Sequence, residues 1–216
     1  MVARRDQVPV VEESLHREMK TALIIFVKNQ RYGQVKTRLA AKLGHDQAFE
    51  AYKILVQHTL QISLTIKADK FLFYHEKIEK DEWPGIAERL VQRGDDLGTR
   101  MKNAFALLFS KNYDKVLIIG SDCLEITDSI IEQGFSKLDS TDVVIGPARD
   151  GGYYLLGLKE NSPLLFENIE WSTSKVLAQT TKACKENNLD YSMLELLNDI
   201  DEAGDWLKAK QALHGY

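Results

Sequence analysis

An α/β fold with a mainly parallel central sheet is predicted by three features of the sequence. Apolar runs without alternation read as strands buried on both faces, the arrangement of a parallel sheet covered by helices. Those runs alternate along the chain with segments of helical periodicity, which is the order of a layered α/β domain. The run Val116-Leu117-Ile118-Ile119 stops at Gly120-Ser121-Asp122, and in open sheets of this kind ligands collect beyond the carboxyl ends of the strands. Asp122 would stand there. An Asp in that place also caps a following helix, so this stretch alone leaves both roles open.

The composition suits a soluble globule. The 216 residues fit one domain with a small appendage, and 44% hydrophobic content supports a sizeable core. A formal charge of -4 gives no general attraction to nucleic acid or to anionic lipid, so an anionic ligand needs a local cluster of Lys and Arg. The two cysteines, Cys123 and Cys184, form neither a disulfide framework nor a metal-ligand spacing, and they suit a reducing, cytoplasmic compartment. No apolar run approaches a membrane span of about 20 residues. Residues 1–20 lack the apolar core of a secretory signal and read as an N-terminal extension, with a docking helix from Val11 to Met19 as the alternative. Residues 21–216 read as one domain, with no internal repeat or low-complexity linker to divide it.

The first strand is predicted at residues 21–27. After it, Lys28 to Arg38 carries four cations in eleven residues, with Gly33 able to turn the backbone. Neither the GxxxxGK[ST] nor the GxGxxG spacing is present, so phosphate contacts would rest on side chains, unless the run is a solvated basic turn. Ala48, Tyr52, Leu55, Val56, Leu60 and Leu64 recur at helical spacing over 46–66, after Gly44. Residues 71–75 read as a second strand, Trp83-Pro84-Gly85 as a loop and 89–92 as a third strand. Asp95-Asp96 before the helix at 101–109 either cap it or accept hydrogen bonds from a nucleoside.

A helix at 127–138 with Thr127 or Asp128 as its cap follows the strand at 116–120, and 142–145 is a further strand. In Gly146-Pro147-Ala148-Arg149-Asp150-Gly151-Gly152-Tyr153-Tyr154 an acid and two glycines lead into a strand. Adjacent glycines admit a close ligand, while Asp150-Gly151 is equally a hairpin turn dipeptide. Trp171-Ser172-Thr173 precedes a helix at 174–184. Asp199-Ile200-Asp201, which points two carboxylates the same way if extended, precedes the last helix or caps it.

Taken in order, Phe26-x-Lys28, Gly33-x-Val35-Lys36-Thr37-Arg38-Leu39, Asp96-Leu97-Gly98-x-Arg100-Met101, Gly120-Ser121-Asp122-Cys123, Gly146-Pro147-Ala148-x-Asp150-Gly151-Gly152-Tyr153-Tyr154, Trp171-Ser172-Thr173 and Asp199-Ile200-Asp201 resemble one family. It is the small bacterial glycosyltransferase-like proteins with a GT-A, nucleotide-diphospho-sugar transferase fold, some of them associated with arsenosugar biosynthesis. The likeness runs from about residue 21 to 208. The family pattern has prolines where this chain has Gln30, Tyr32 and Leu124, which alters loop stiffness and leaves the ionisable groups in place. Lys36-Thr37-Arg38-Leu39 is also similar to the Lys-Ser-Arg-Leu loop of phospholactate guanylyltransferases, which share the fold.

The resemblance implies a layered α/β/α domain, a nucleotide-sugar donor, a small-molecule acceptor and a divalent cation, Mg2+ or Mn2+. Magnesium takes one or two carboxylates and completes its shell with water and phosphate oxygens, so Asp122 is assigned to it, with Asp201 as second ligand. Lys28, Gly33, Lys36, Arg38 and Ser121 are assigned to the phosphates, and Asp96 with Gly98 to the nucleoside. Lys36 and Arg38 would also stabilise charge during transfer. Asp150 is the candidate for activating the acceptor hydroxyl, with Gly151, Gly152, Tyr153, Trp171 and Thr173 around sugar and acceptor. Trp171 is equally readable as core. Nucleotidyl transfer, with attack at an α-phosphate and departure of pyrophosphate, would use the same residues. A nucleotide-binding module without catalysis is disfavoured, because every expected carboxylate is present.

Overall fold

The computed structural model describes residues 18–81 and 83–214, with no side-chain description after residue 211. The proposed extension therefore falls, up to residue 17, outside the described residues. Among these residues seven strands form one sheet in the order β3-β2-β1-β4-β6-β5-β7. They are β1 (Thr21–Val27), β2 (Asp69–Tyr74), β3 (Ile86–Val91), β4 (Lys115–Ile119), β5 (Val143–Pro147), β6 (Tyr153–Leu158) and β7 (Tyr191–Met193). β1 pairs in parallel with β2 and β4, β2 with β3, and β5 with β7. β6 alone runs antiparallel, to β4 and to β5, so the sheet is mainly parallel as expected.

Among the described residues six α-helices accompany the sheet: α1 (Thr37–Leu43), α2 (His45–Leu64), α3 (Leu97–Ser110), α4 (Asp128–Lys137), α5 (Val176–Glu186) and α6 (Ala203–His214). The period of two along β1 distributes its residues between two cores. Leu23, Ile25 and Val27 meet Tyr52 and Val56 of α2 and, further along the sheet, share a core with Ile130, Ile131 and Phe135 of α4. Ala22, Ile24 and Phe26 join Met101, Phe105 and Leu108 of α3 and Ala183 and Cys184 of α5. An unalternated apolar strand is what covering on both faces demands, and the result is a three-layer α/β/α sandwich. A third cluster seats Trp206 of α6 against Leu39 of α1 and Leu55 of α2.

Each predicted strand and helix is present, with ends shifted by a few residues. Thr127 caps α4 by accepting from the Ile130 N–H at 3.2 Å. Three elements lie outside the sequence reading. α1 begins inside the basic loop, a 3-10 turn spans Pro163–Phe166, and β7 is three residues long.

Candidate active site

The connection after β1 runs by way of α2 to β2 on one side of it, whereas β3 returns through α3 to β4 on the other side. Such a reversal opens a crevice at the carboxyl ends of the two strands that part, here β1 and β4. Lys28 follows β1 and Asp122 follows β4, so both stand at this point. Two tethers bring the C-terminal segment to the same rim. Ile200 N–H donates to the Asp122 carbonyl at 2.8 Å, and Cys123 pairs with Asp199 in an isolated antiparallel bridge. Leu197 reaches the end of β5 through its bond to the Pro147 carbonyl at 3.1 Å.

Lys36 joins these strands chemically. Its Nζ lies 2.6 Å from Asp122 Oδ1 and donates to Asp201 Oδ1 at 3.1 Å. The ammonium side chain is 3% exposed, while the two carboxylates are 37% and 42% exposed. A cation is therefore sealed behind two acids that solvent and ligand can reach. Lys36 adopts the left-handed conformation, φ 48° and ψ 48°, immediately before α1. That conformation is uncommon for a side chain with a Cβ, and it turns this lysine inward from a loop whose Lys28 and Arg38 face water. Burial disfavours the Asp122 carboxylate, but Lys36 and then Lys28 outweigh it and hold its pKa below the ordinary range. Tyr52 steadies the start of the loop by donating to the Lys28 carbonyl at 2.6 Å.

The other predicted residues divide into two groups. Lys28 and Arg38 are exposed, Gly33 turns the loop at φ +76°, and Ser121 is buried beneath the rim. Asp150 is exposed in the β5–β6 hairpin and accepts from the Gly152 N–H at 2.8 Å, so the turn reading and a reachable carboxylate coexist. Asp96 is the N-cap of α3, with its two oxygens accepting from Thr99 N–H at 2.9 Å and Thr99 Oγ1 at 2.8 Å. Gly98 and Gly151 are glycines because the chain itself presses on them. A Cβ on Gly98 would lie 2.1 Å from the Trp171 indole, and one on Gly151 would lie 2.2 Å from the Ser174 carbonyl oxygen. Together they seat the Trp171–Ser174 loop, and Thr173 braces it by donating to the Glu170 carbonyl at 2.7 Å. Trp171 stacks on Phe166 at 6.3 Å, and the Tyr153 ring packs against the α3–α5 core. Both aromatics pack against that core, and the Tyr153 hydroxyl is buried.

The sequence reading favours Asp201 over Asp199, although the Asp-Ile-Asp spacing marks both, and so misses a third acid beside Asp122 and Asp201. The Asp199 carboxylate is pushed up to about 7, first by burial, then by the charges of Asp122 and Asp150, with Lys36 opposing them. Burial first, and the charge of Asp199 next, push the Cys123 thiol up to about 12, which does not suit a nucleophile.

Among the described residues, no group of three or more His, Cys, Asp or Glu is arranged as a cage for a metal ion. The donor set fits a different kind of cation site. Asp122 and Asp201 converge on one positive charge, the Lys36 ammonium, which is buried behind them and leaves their outer sides reachable. Two carboxylates suffice for an ion that draws its remaining ligands from water and substrate phosphate.

Comparison with known proteins agrees with this architecture. Residues 53–173 match the family model DUF2064, described as "Uncharacterized protein conserved in bacteria". A crystal structure from Desulfovibrio desulfuricans G20, provisionally designated a nucleotide-diphospho-sugar transferase, is 31% identical, with 91% of this chain and 88% of that chain covered and a TM-score of 0.82. The 2-C-methyl-D-erythritol 4-phosphate cytidylyltransferase of Thermus thermophilus is 13% identical, with 92% and 100% covered and a TM-score of 0.56. Rv0371c of Mycobacterium tuberculosis H37Rv, in complex with manganese, is 10% identical, with 88% and 97% covered and a TM-score of 0.54. The last two share the fold. A search of curated proteins found no match.

Proposed function

We propose, from the premise that this chain belongs to the DUF2064 family of bacterial proteins, that it is a nucleotide-utilising transferase. The finer reading is transfer of a glycosyl group from a nucleotide-sugar donor to a small-molecule acceptor. The Desulfovibrio relative carries the corresponding designation. The observation that carries the proposal is the convergence of Asp122 and Asp201 on Lys36 at the point where the strand order reverses. Residues 21–216 are taken as one such domain behind the extension at 1–20. No helix of the described residues is long and apolar enough to cross a membrane, and a cytoplasmic site of action is part of the proposal.

In this reading Asp122 and Asp201 are the residues that would hold Mg2+ or Mn2+. A divalent ion there supplies neutralisation of charge on the departing nucleoside diphosphate. Lys28 and Arg38, both exposed, bind phosphate oxygens, and Lys36 keeps the two carboxylates aimed at the cleft. Asp150 orients or deprotonates the acceptor hydroxyl, which it can reach from the exposed hairpin. The Trp171–Ser174 loop, seated on Gly98 and Gly151, forms the wall between nucleoside and acceptor.

The test is a product screen. The purified protein is incubated with nucleotide sugars and nucleoside triphosphates, with Mg2+ or Mn2+ and a panel of hydroxyl acceptors. Release of nucleoside diphosphate from a nucleotide sugar supports the proposal. Consumption of a triphosphate with release of pyrophosphate replaces it with nucleotidyl transfer.

A further inference from the structure

A second set of side chains lies along the same rim, on the far side of β1 from Asp122. His75 follows β2, and its N–H donates to the Val27 carbonyl at 3.0 Å. Asn29 stitches the next residues together, accepting from the Glu76 N–H at 2.8 Å and donating to the Lys77 carbonyl at 2.8 Å. Gln92 follows β3, is buried, and donates through Nε2 to the carbonyls of Phe73 at 3.0 Å and Val27 at 3.3 Å. Arg100, in the first turns of α3, donates from Nε to the Gly94 carbonyl at 2.9 Å and from one terminal nitrogen to His75 Nδ1 at 2.7 Å. An arginine keeps its protons, so Nδ1 is the acceptor, and a neutral ring then carries its proton on Nε2.

Half-buried Arg100 makes no ion pair among the described residues. The neighbouring acids are occupied: Glu76 pairs with Arg31 at 2.6 Å, and Asp96 accepts from Thr99. Its guanidinium is thus oriented by two neutral acceptors, with donors to spare, at the mouth of β2 and β3. The strand order places this mouth two to three strand spacings, or about 10–14 Å, from the Asp122 end of β4. That is the span from a diphosphate to its nucleoside.

We propose that His75, braced by Gln92, is a positioning residue that holds Arg100 ready to donate to an acceptor on the nucleoside part of the substrate. The inference rests on the nucleotide-utilising reading above. Burial and then the Arg100 charge hold the His75 pKa below its ordinary value, with Lys28 acting the same way and Glu76 and Gln92 opposing. The ring therefore stays an acceptor at neutral pH. Once protonated it offers only donors and repels Arg100.

The experiment measures affinity in the presence of Mg2+ for the 5′-diphosphate, among the four common nucleosides, that wild type binds most tightly, and separately for inorganic pyrophosphate. At pH 8, His75→Ala is expected to weaken nucleoside diphosphate binding at least about tenfold, the worth of one charged hydrogen bond. Pyrophosphate binding should stay within about threefold, because its phosphates lie at the Asp122 end. His75→Gln, which still accepts but does not titrate, should restore affinity at pH 8. Its affinity should also fall less than that of wild type between pH 8 and pH 5, the ionisation of the phosphates being common to both. The relay is overturned if His75→Ala binds as wild type does, if pyrophosphate binding falls equally, or if His75→Gln tracks the wild-type pH profile. Failure of wild type to bind any nucleoside diphosphate removes the transferase reading as well, so the two failures are distinguishable.

Discussion

Lys36 Nζ lies 2.6 Å from Asp122 Oδ1 although the two residues come from loops at the ends of different strands, and the ammonium is buried while the carboxylate is open to the cleft. This inverts the usual picture of a phosphate-binding loop, in which the lysine projects toward solvent. The protein's charge at this point serves first to fix the direction of two acids.

Removing that charge should affect both ligand and fold. Lys36→Ala leaves Asp122 and Asp201 facing the same gap without compensation, which is expected to cost about 1–3 kcal/mol at pH 7, discounted for carboxylates that remain partly hydrated. Diphosphate affinity should fall more than nucleoside affinity, as measured by calorimetry with each ligand. Equal losses for both would contradict a phosphate-end role.

The seat of the Trp171 loop gives a prediction from sterics alone. Gly98→Ala adds a methyl that would lie 2.1 Å from the indole, so the ring must move. Overpacking of this sort costs about 1–3 kcal/mol, more than the roughly 1 kcal/mol that alanine gains over glycine in a helix. Chemical denaturation should show a net loss and tryptophan fluorescence should shift. In a Trp171→Ala background the same substitution should no longer destabilise.

Acid sensitivity is expected from Asp81, which lies beside Tyr74 and takes two bonds from Arg89, Nε to Oδ2 at 2.9 Å and a terminal nitrogen to Oδ1 at 2.7 Å. Burial raises the Asp81 pKa, but Arg89, Tyr74 and the Trp83 N–H together bring it below the ordinary carboxylate value of 3.8. A carboxylate depressed on folding contributes stability that is present above its unfolded pKa and lost as pH falls through the folded one. Asp81→Asn should therefore lower the melting temperature at pH 7, and its deficit against wild type should shrink below about pH 4. A deficit that does not change with pH would contradict the ion-pair account.

The layered fold was legible because β1 and β4 are apolar on both faces, a pattern that only covering from two sides explains. Asp122 and Lys36 could be named because each stands immediately beyond a strand or within a charged loop. Their contact could not, since it depends on the left-handed backbone at Lys36 and on the Asp122–Ile200 tether. Gly151 reads as a place of close ligand approach and Gly98 is given to the nucleoside by the resemblance, while the pressure of the Trp171–Ser174 loop on both is visible only in the fold. Trp171 stacks on Phe166 and the Tyr153 ring packs beside α5, contacts that no local sequence signal marks. His75 and Gln92 carried no local signal at all; their pairing with Arg100 and the strand ends exists only once β1, β2 and β3 lie side by side.

Metal-dependent nucleotide binding by Asp122→Asn tests the central claim most directly. The substitution keeps the shape of the side chain and leaves Asp201 on Lys36, so the protein should still fold, with a lower melting temperature because the buried ammonium loses one of its two charged partners. Calorimetric titration of wild type with a nucleoside diphosphate is expected to show affinity that rises on addition of Mg2+ or Mn2+, and that rise should disappear in the variant. An undiminished rise in Asp122→Asn would contradict a cation held between this carboxylate and the diphosphate.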